Sequence, residues 1–185
     1  MAKKVDAIKF GIFFIIILLV GGIITFLTMS VLTVKKVKSS ITNKNVKAFL
    51  KTIRIGEGTS GDNGYKTLFG SGTFSSYANH PNIRVTSGGY TSTAAGAYQI
   101  LYKTWLECQS ALSLSDFSPG NQDLAAVYLI ERRGALDDVI NGHFDQAVLK
   151  CNKEWASLPG SPYGQPTVSL ETIRQRYKDY GGSLA

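Results

Sequence analysis

Residues 45–58 read NVKAFLKTIRIGEG. Val46, Phe49, Leu50 and Ile53 fall at i, i+3, i+4 and i+7, the spacing that puts apolar side chains on one face of a helix. The pattern stops at Gly56-Glu57-Gly58, where paired glycines favour a C-cap and a turn. A helix is therefore predicted to carry one carboxylate, Glu57, at its own end. The position is electrostatically poor, because the helix dipole disfavours an acid at a C-terminus. Ile53 and Ile55 precede it, and an apolar wall of that kind desolvates a carboxyl group, raises its pKa and keeps it protonated as a general acid. An exposed surface glutamate is the commoner fate of this residue type. Local sequence leaves both readings of Glu57 open.

Beyond Glu57, residues 58–92 are rich in Gly, Ser, Thr, Asn and Tyr, which predicts loops and short strands forming a small sheet. Helical periodicity returns over 97–112. A further helix is predicted from Ser118-Pro119, with Ser as N-cap and Pro in the first turn, to Arg133 before Gly134. Residues 144–155 and 169–180 complete the helical set, the last closed by Gly181-Gly182. The expected architecture of residues 45–185 is a mostly helical α+β domain with one β-rich insertion after its first helix.

Upstream, residues 10–34 carry no charge, and 13–20 are an unbroken aliphatic and aromatic block. Twenty-five helical residues rise roughly 37 Å, more than a hydrocarbon core of about 30 Å. Residues 1–34 are therefore expected to be a membrane-spanning segment, followed by a polar linker over 35–44. A cleavable signal peptide is the rival, although no small-x-small site is evident. Gly21, Gly22, Thr25, Thr28, Ser30 and Thr33 dilute the second half of the span. Those residues suit either helix packing or a helix that leaves the bilayer readily.

The chain has 185 residues and a formal net charge of +7. Seven Lys and one Asp in residues 1–44 account for +6, so the remainder is nearly neutral. That distribution argues against a nucleic-acid-binding face, and no nucleic-acid partner is expected. His80 and His143 are isolated, and Cys108 and Cys151 lack the paired spacing of a zinc site, so no metal and no cofactor is expected. Both Cys sit in helical patterns and read as core residues. The glycine-rich stretches lack a Walker Lys or a dinucleotide fingerprint.

From Asn45 to about Gly182 the sequence resembles the lambda-type phage endolysins, which are lytic transglycosylases of lysozyme-like fold. The stretches that carry the resemblance are Glu57-Gly58-Thr59 with Asp62-Asn63-Gly64, His80-Pro81, Ala95-Gly96-Ala97-Tyr98-Gln99 and Asp116-Phe117-Ser118-Pro119 with Gln122-Asp123. Arg133-Gly134-Ala135-Leu136, Trp155-Ala156-Ser157-Leu158-Pro159-Gly160 and Tyr163-Gly164-Gln165 follow in the same order. Gly96 to Gln99 also looks like the Gly-x-x-Gln motif of other lysozyme-like transglycosylases. The resemblance implies that Glu57 is the catalytic acid and that Tyr98 and Gln99 help line a sugar-binding cleft. Arg132 departs from the pattern, which has a Glu before Arg-Gly-Ala-Leu. The N-terminal segment has no counterpart in the lambda enzyme and resembles the signal-arrest-release segments of other phage endolysins.

A glycoside hydrolase usually needs two acids flanking the scissile bond. Asp62, in a glycine-rich loop, does not fit the Glu-x8-Asp-x5-Thr spacing of T4-type lysozymes, where Lys66 stands here. It is read as a loop-structuring residue, with catalytic base as the minority alternative. A lytic transglycosylase activates no water, and one Glu can act first as acid and then as base. Tyr65, Tyr77, Tyr90 and Tyr98 are candidates to stack on pyranose faces, Tyr98 first and Tyr77 next. Ser92 and Thr93 are candidate polar contacts, while Trp105 and Trp155 read as core.

The expected function is lytic transglycosylation of the MurNAc-GlcNAc bond of peptidoglycan for host lysis, giving 1,6-anhydro products. The alternatives are a hydrolytic muramidase of the same fold and an inactive membrane-anchored wall-binding protein. The expected partners are peptidoglycan glycan strands and the bacterial inner membrane, with the protein itself a monomer. Its expected location is the inner membrane with the catalytic domain in the periplasm, then release to the periplasm.

Overall fold

The computed structural model describes residues 30–164 and 166–185. The chain divides into two units, Met1–Lys36 and Val37–Ala185. In the first, residues 30–36 are helical. The expected span over 10–34 lies outside the described residues except for its last five positions. Among the described residues no helix is long and apolar enough to cross a membrane.

Residues 37–40 of the second unit are helical and Val37 is wholly buried, so the start of the stretch expected as a polar linker is ordered helix instead. The helix α1 then runs over Lys44–Gly56. Asn43 caps it, its side chain accepting from the N–H groups of Asn45 and Val46. Val46, Phe49, Leu50 and Ile53 are all buried, as their spacing requires. Burying side chains of this size stabilises by roughly 1.5–3 kcal/mol each. Asn45, also buried, clamps the helix at its start. Its amide donates to Ile140 O at 3.0 Å, and its oxygen accepts from Ser183 N at 2.9 Å.

Two 3-10 turns follow, Gly64–Lys66 and Phe69–Ser71, and then strands β1 (Val85–Ser87) and β2 (Tyr90–Ser92). The strands pair antiparallel with Val85 opposite Ser92 and Ser87 opposite Tyr90. Gly88 and Gly89, at φ +57° and +82°, supply the two-residue turn between them. The predicted small sheet is present as this single hairpin.

The remaining helices are α2 (Tyr102–Leu112), α3 (Pro119–Arg132), α4 (Leu136–Asn141), α5 (Phe144–Cys151) and α6 (Leu170–Asp179). Three differ from expectation. The helix predicted from 97 begins only at Tyr102, because Gly96 (φ +78°) and Gln99 (φ +46°) turn the chain and Ala95 bridges Ile100. The helix predicted over 144–155 stops at Cys151, and α4 is a short helix in a stretch for which no helix was predicted.

α1 packs chiefly on α4 and α6. Phe144 of α5 joins the same core, its ring 5.8 Å from Phe49 and 4.7 Å from Tyr177. A second cluster surrounds Phe117, with Trp105 and His80 ring centres each 4.7 Å away and Phe74 at 5.8 Å. It fastens the β-rich insertion to α2 and α3. Cys108 and Cys151 are buried and free, and burial pushes both thiols up, Cys108 to about 12. Trp105 and Trp155 are core residues, as read from the sequence.

Candidate active site

Glu57 is the C-cap of α1, with φ −78° and ψ −3°, and its N–H still donates to Ile53 O. Gly58 follows at φ +69°, a left-handed conformation that costs glycine little. The chain doubles back there, and the Thr59 N–H reaches Arg54 O at 2.9 Å. Thr59 is buried, and its hydroxyl donates to Ala97 O, tying the helix end to the 96–99 turn. The carboxylate is therefore carried on a fixed backbone.

A groove of about 500 Å³ opens at this helix end. Gly56, Glu57 and Gly58 form one side, and Thr67 to Gly70 with Ser87 form another. Gln99, Ala156, Ser157 and Pro166 complete it. Ser157 donates from Oγ to Glu57 Oε1 at 2.6 Å. Gly56 makes that approach possible, since a Cβ there would stand 2.5 Å from Ser157 Oγ and 3.0 Å from its Cβ. Leu158 is buried next to Ser157, and Trp155 Nε1 donates to Tyr98 O, so the segment bearing Ser157 is anchored to the same 96–99 turn.

Burial pushes the Glu57 carboxyl up to about 7, against the smaller lowering effect of the Ser157 hydrogen bond. At neutral pH the group is thus divided between its acid and base forms. Among the described residues lining the groove, Glu57 is the sole carboxylate. Asp62 is exposed in the loop beyond Gly58 and does not line it.

The other expected site residues are dispersed. Gln99 lines the groove, its amide nitrogen fixed by Gly96 O at 3.0 Å and Thr67 O at 3.3 Å. Tyr98 does not. It is 2% exposed, its hydroxyl bonded to Asp123 at 2.6 Å, so its ring offers no face to the Glu57 groove. Tyr77 lies off the groove, edge-on to Phe74 and beneath Lys66. Ser92 accepts from Ala94 N and Thr93 from Tyr102 N at the start of α2, and neither lines the groove. Arg132 bridges Glu107 at 2.9 Å and Glu154 at 2.8 Å, a surface ion network outside the groove.

Ser157 was not singled out from the sequence. It lies inside one of the matching stretches, but 100 residues from the side chain it holds. Thr67 and Phe69 were likewise concealed in a glycine-rich loop whose path no local pattern sets.

An Endolysin family model matches residues 47–184. The endolysin of Escherichia phage lambda is 37% identical over 149 residues, covering 77% of this chain and 94% of the relative. The endolysin of Escherichia phage P2 is 37% identical over 157 residues, covering 76% and 95%. Among solved structures, bacteriophage lambda lysozyme complexed with a chitohexasaccharide matches with a TM-score of 0.74 at 37% identity, over 77% of this chain and 97% of that one. The domain thus has the lysozyme-like fold, and the chain belongs to the endolysin family.

Proposed function

We propose that this protein is a phage endolysin that cleaves peptidoglycan for host lysis, and that it does so by lytic transglycosylation of the MurNAc-GlcNAc bond. The observation that carries the reading is the solitary, desolvated carboxyl of Glu57 in the groove, with Ser157 holding one of its oxygens. The structure of a relative bound to a chitohexasaccharide supports a glycan as the occupant.

Ser157 occupies Oε1, which leaves Oε2 to carry the proton. Protonated Glu57 gives that proton to the bridging oxygen as the C1–O bond breaks. The N-acetyl group of the muramic acid stabilises the positive C1. Glu57, now a carboxylate, takes the proton from the C6 hydroxyl, whose oxygen closes onto C1. The enzyme returns to its starting protonation state, and the product ends in a 1,6-anhydro ring. A pKa near the working pH suits a group that must be acid and base in turn. Hydrolysis would instead require a partner for water, and the described lining residues offer no second acid for that task.

Mass spectrometry of muropeptides released from purified peptidoglycan tests this reading. Anhydro ends, lighter than reducing ends by one water, are expected. Reducing ends alone would overturn it in favour of a muramidase.

The apolar stretch 10–34 is proposed to hold the enzyme in the inner membrane, with the domain in the periplasm, until release. Fractionation before and after adding an ionophore tests this. Movement from the membrane pellet to the soluble fraction is expected, and retention in the pellet throughout would rule it out.

A further inference from the structure

The segments that line the Glu57 groove also line a second one. Glu57, Thr67 and Gln99 face the first. Arg54 on the same helix, Tyr65 two residues before Thr67, and Tyr98 beside Gln99 line a separate concavity of about 410 Å³. Its rim is the outer stripe of α1, with Lys44, Lys47 and Lys51 all exposed. No acidic residue occurs in the sequence between Asp6 and Glu57, so this stripe has no acid of its own helix to answer it.

Several cations elsewhere on the domain meet carboxylates. Arg132 and Arg133 hold Glu154, Lys150 holds Asp138, and Arg174 holds Asp145. Lys44, Lys47 and Lys51 form no such ion pair among the described residues. Lys44 donates to the Ser183 hydroxyl at 2.8 Å, and Lys51 lies 5.4 Å from the centre of the Tyr180 ring. Arg54 is structural, bonded to Thr59 O and stacked 4.7 Å from the Tyr65 ring.

Deeper in the groove one carboxylate lies near the Arg54 guanidinium. Asp123 Oδ1 accepts from the hydroxyls of Tyr65 at 2.8 Å and Tyr98 at 2.6 Å. Its other oxygen makes no hydrogen bond among the described residues. The groove therefore presents three ammonium groups at its edge, with the Arg54 guanidinium and one carboxylate below. A uniformly anionic ligand such as a phosphate would meet the cations but offer nothing to Asp123, whereas a ligand with carboxylates and an amino group meets both signs.

We propose that this second groove docks the peptide stems of peptidoglycan. The stem carboxylates meet Lys44, Lys47 and Lys51, and the free amino group of the stem's diamino acid meets Asp123. This rests on the peptidoglycan reading above. The glycan then occupies one groove while stems are held in the other, so the enzyme is retained on the peptide-bearing wall by charge.

The test is co-sedimentation with insoluble sacculi, using the full chain carrying Glu57→Gln in mild detergent so that the wall is not cut. Intact sacculi are compared with sacculi stripped of stems by an amidase, and Lys47→Gln/Lys51→Gln is added in parallel. Both positions are exposed on a helix, and Gln is nearly as good a helix former as Lys, so an unchanged melting temperature is expected. Losing two exposed charge contacts predicts binding to intact sacculi weakened roughly three- to tenfold at low salt, with the difference shrinking as salt is raised. On stripped sacculi the two proteins should bind alike. Equal binding of the parent to intact and stripped sacculi would overturn the proposal, as would an unaffected double variant. Competition by inorganic phosphate but not by free stem tetrapeptide would overturn it too. Failure of the peptidoglycan reading itself looks different, since the parent would then sediment with neither preparation.

Discussion

Ser157 Oγ donates to Glu57 Oε1 at 2.6 Å, joining the end of α1 to a segment beyond α5. The contact does two things to the acid. It fixes the carboxyl plane, and it favours the ionised form against the burial that opposes it.

With the Glu57 carboxyl at about 7, the acid form needed to start the reaction is lost as pH rises through that value. The kcat/KM profile should fall on its alkaline side near pH 7. Ser157→Ala removes the interaction that lowers the pKa, so this limb moves to higher pH. Turnover should also drop by roughly tenfold to a hundredfold as the carboxyl loses its orientation. Initial rates on purified peptidoglycan across pH 5–9 check both effects.

Glu57→Gln should abolish lysis, a loss of roughly 10²–10⁴-fold or more for a group that transfers the proton. It should also stabilise the fold at alkaline pH. The folded carboxyl titrates at about 7 and an unburied glutamate at 4.5, so the native state binds the proton more tightly. Stability is therefore highest below about 4.5, declines as pH rises toward 7, and stays lowered above it. The shift corresponds to about 3 kcal/mol as an upper bound. Thermal denaturation of the two proteins should diverge at pH 8 and converge at pH 4.

Asp62→Ala should leave turnover within about twofold of the parent, because an exposed loop carboxylate off the groove touches no reacting atom. A hundredfold loss, accompanied by reducing-end products, would identify Asp62 as a hydrolytic base.

Gly96→Ala should destabilise the domain by about 3 kcal/mol. Gly96 sits at φ +78°, and a Cβ there would run into the Gln122 carboxamide and the Phe117 ring. Gln122 is wholly buried and bonds Ala97 N, Tyr65 O and Phe117 O, so displacing it leaves buried groups without partners. Urea denaturation gives the loss. Activity should fall with it, since the same turn carries Gln99 into the groove.

Where local physics governs, the sequence and the structure agree. The four apolar residues of α1 make a face that has to be buried, and Gly56-Glu57-Gly58 ends the helix because left-handed backbone at Gly58 stops it there. The acid at that end, the turn-rich stretch that becomes a hairpin, and the helix start at Ser118-Pro119 follow from neighbours within a few residues. The order of short motifs identified the family for the same reason, since it needs no knowledge of packing. Contacts between distant segments had no such signal. Tyr98 and Gln99 are adjacent in sequence, yet one ring is buried on Asp123 while the other residue lines the Glu57 groove, because two left-handed residues reverse the chain between α1 and α2. Ser157 reached Glu57 only once α5 and the anchored Trp155 brought its segment across the end of α1. Sequence by itself placed a carboxylate at a helix terminus. Tertiary packing decided that it would be dry, held at one oxygen and alone in its groove, because desolvation and hydrogen bonding depend on what lies nearby in space.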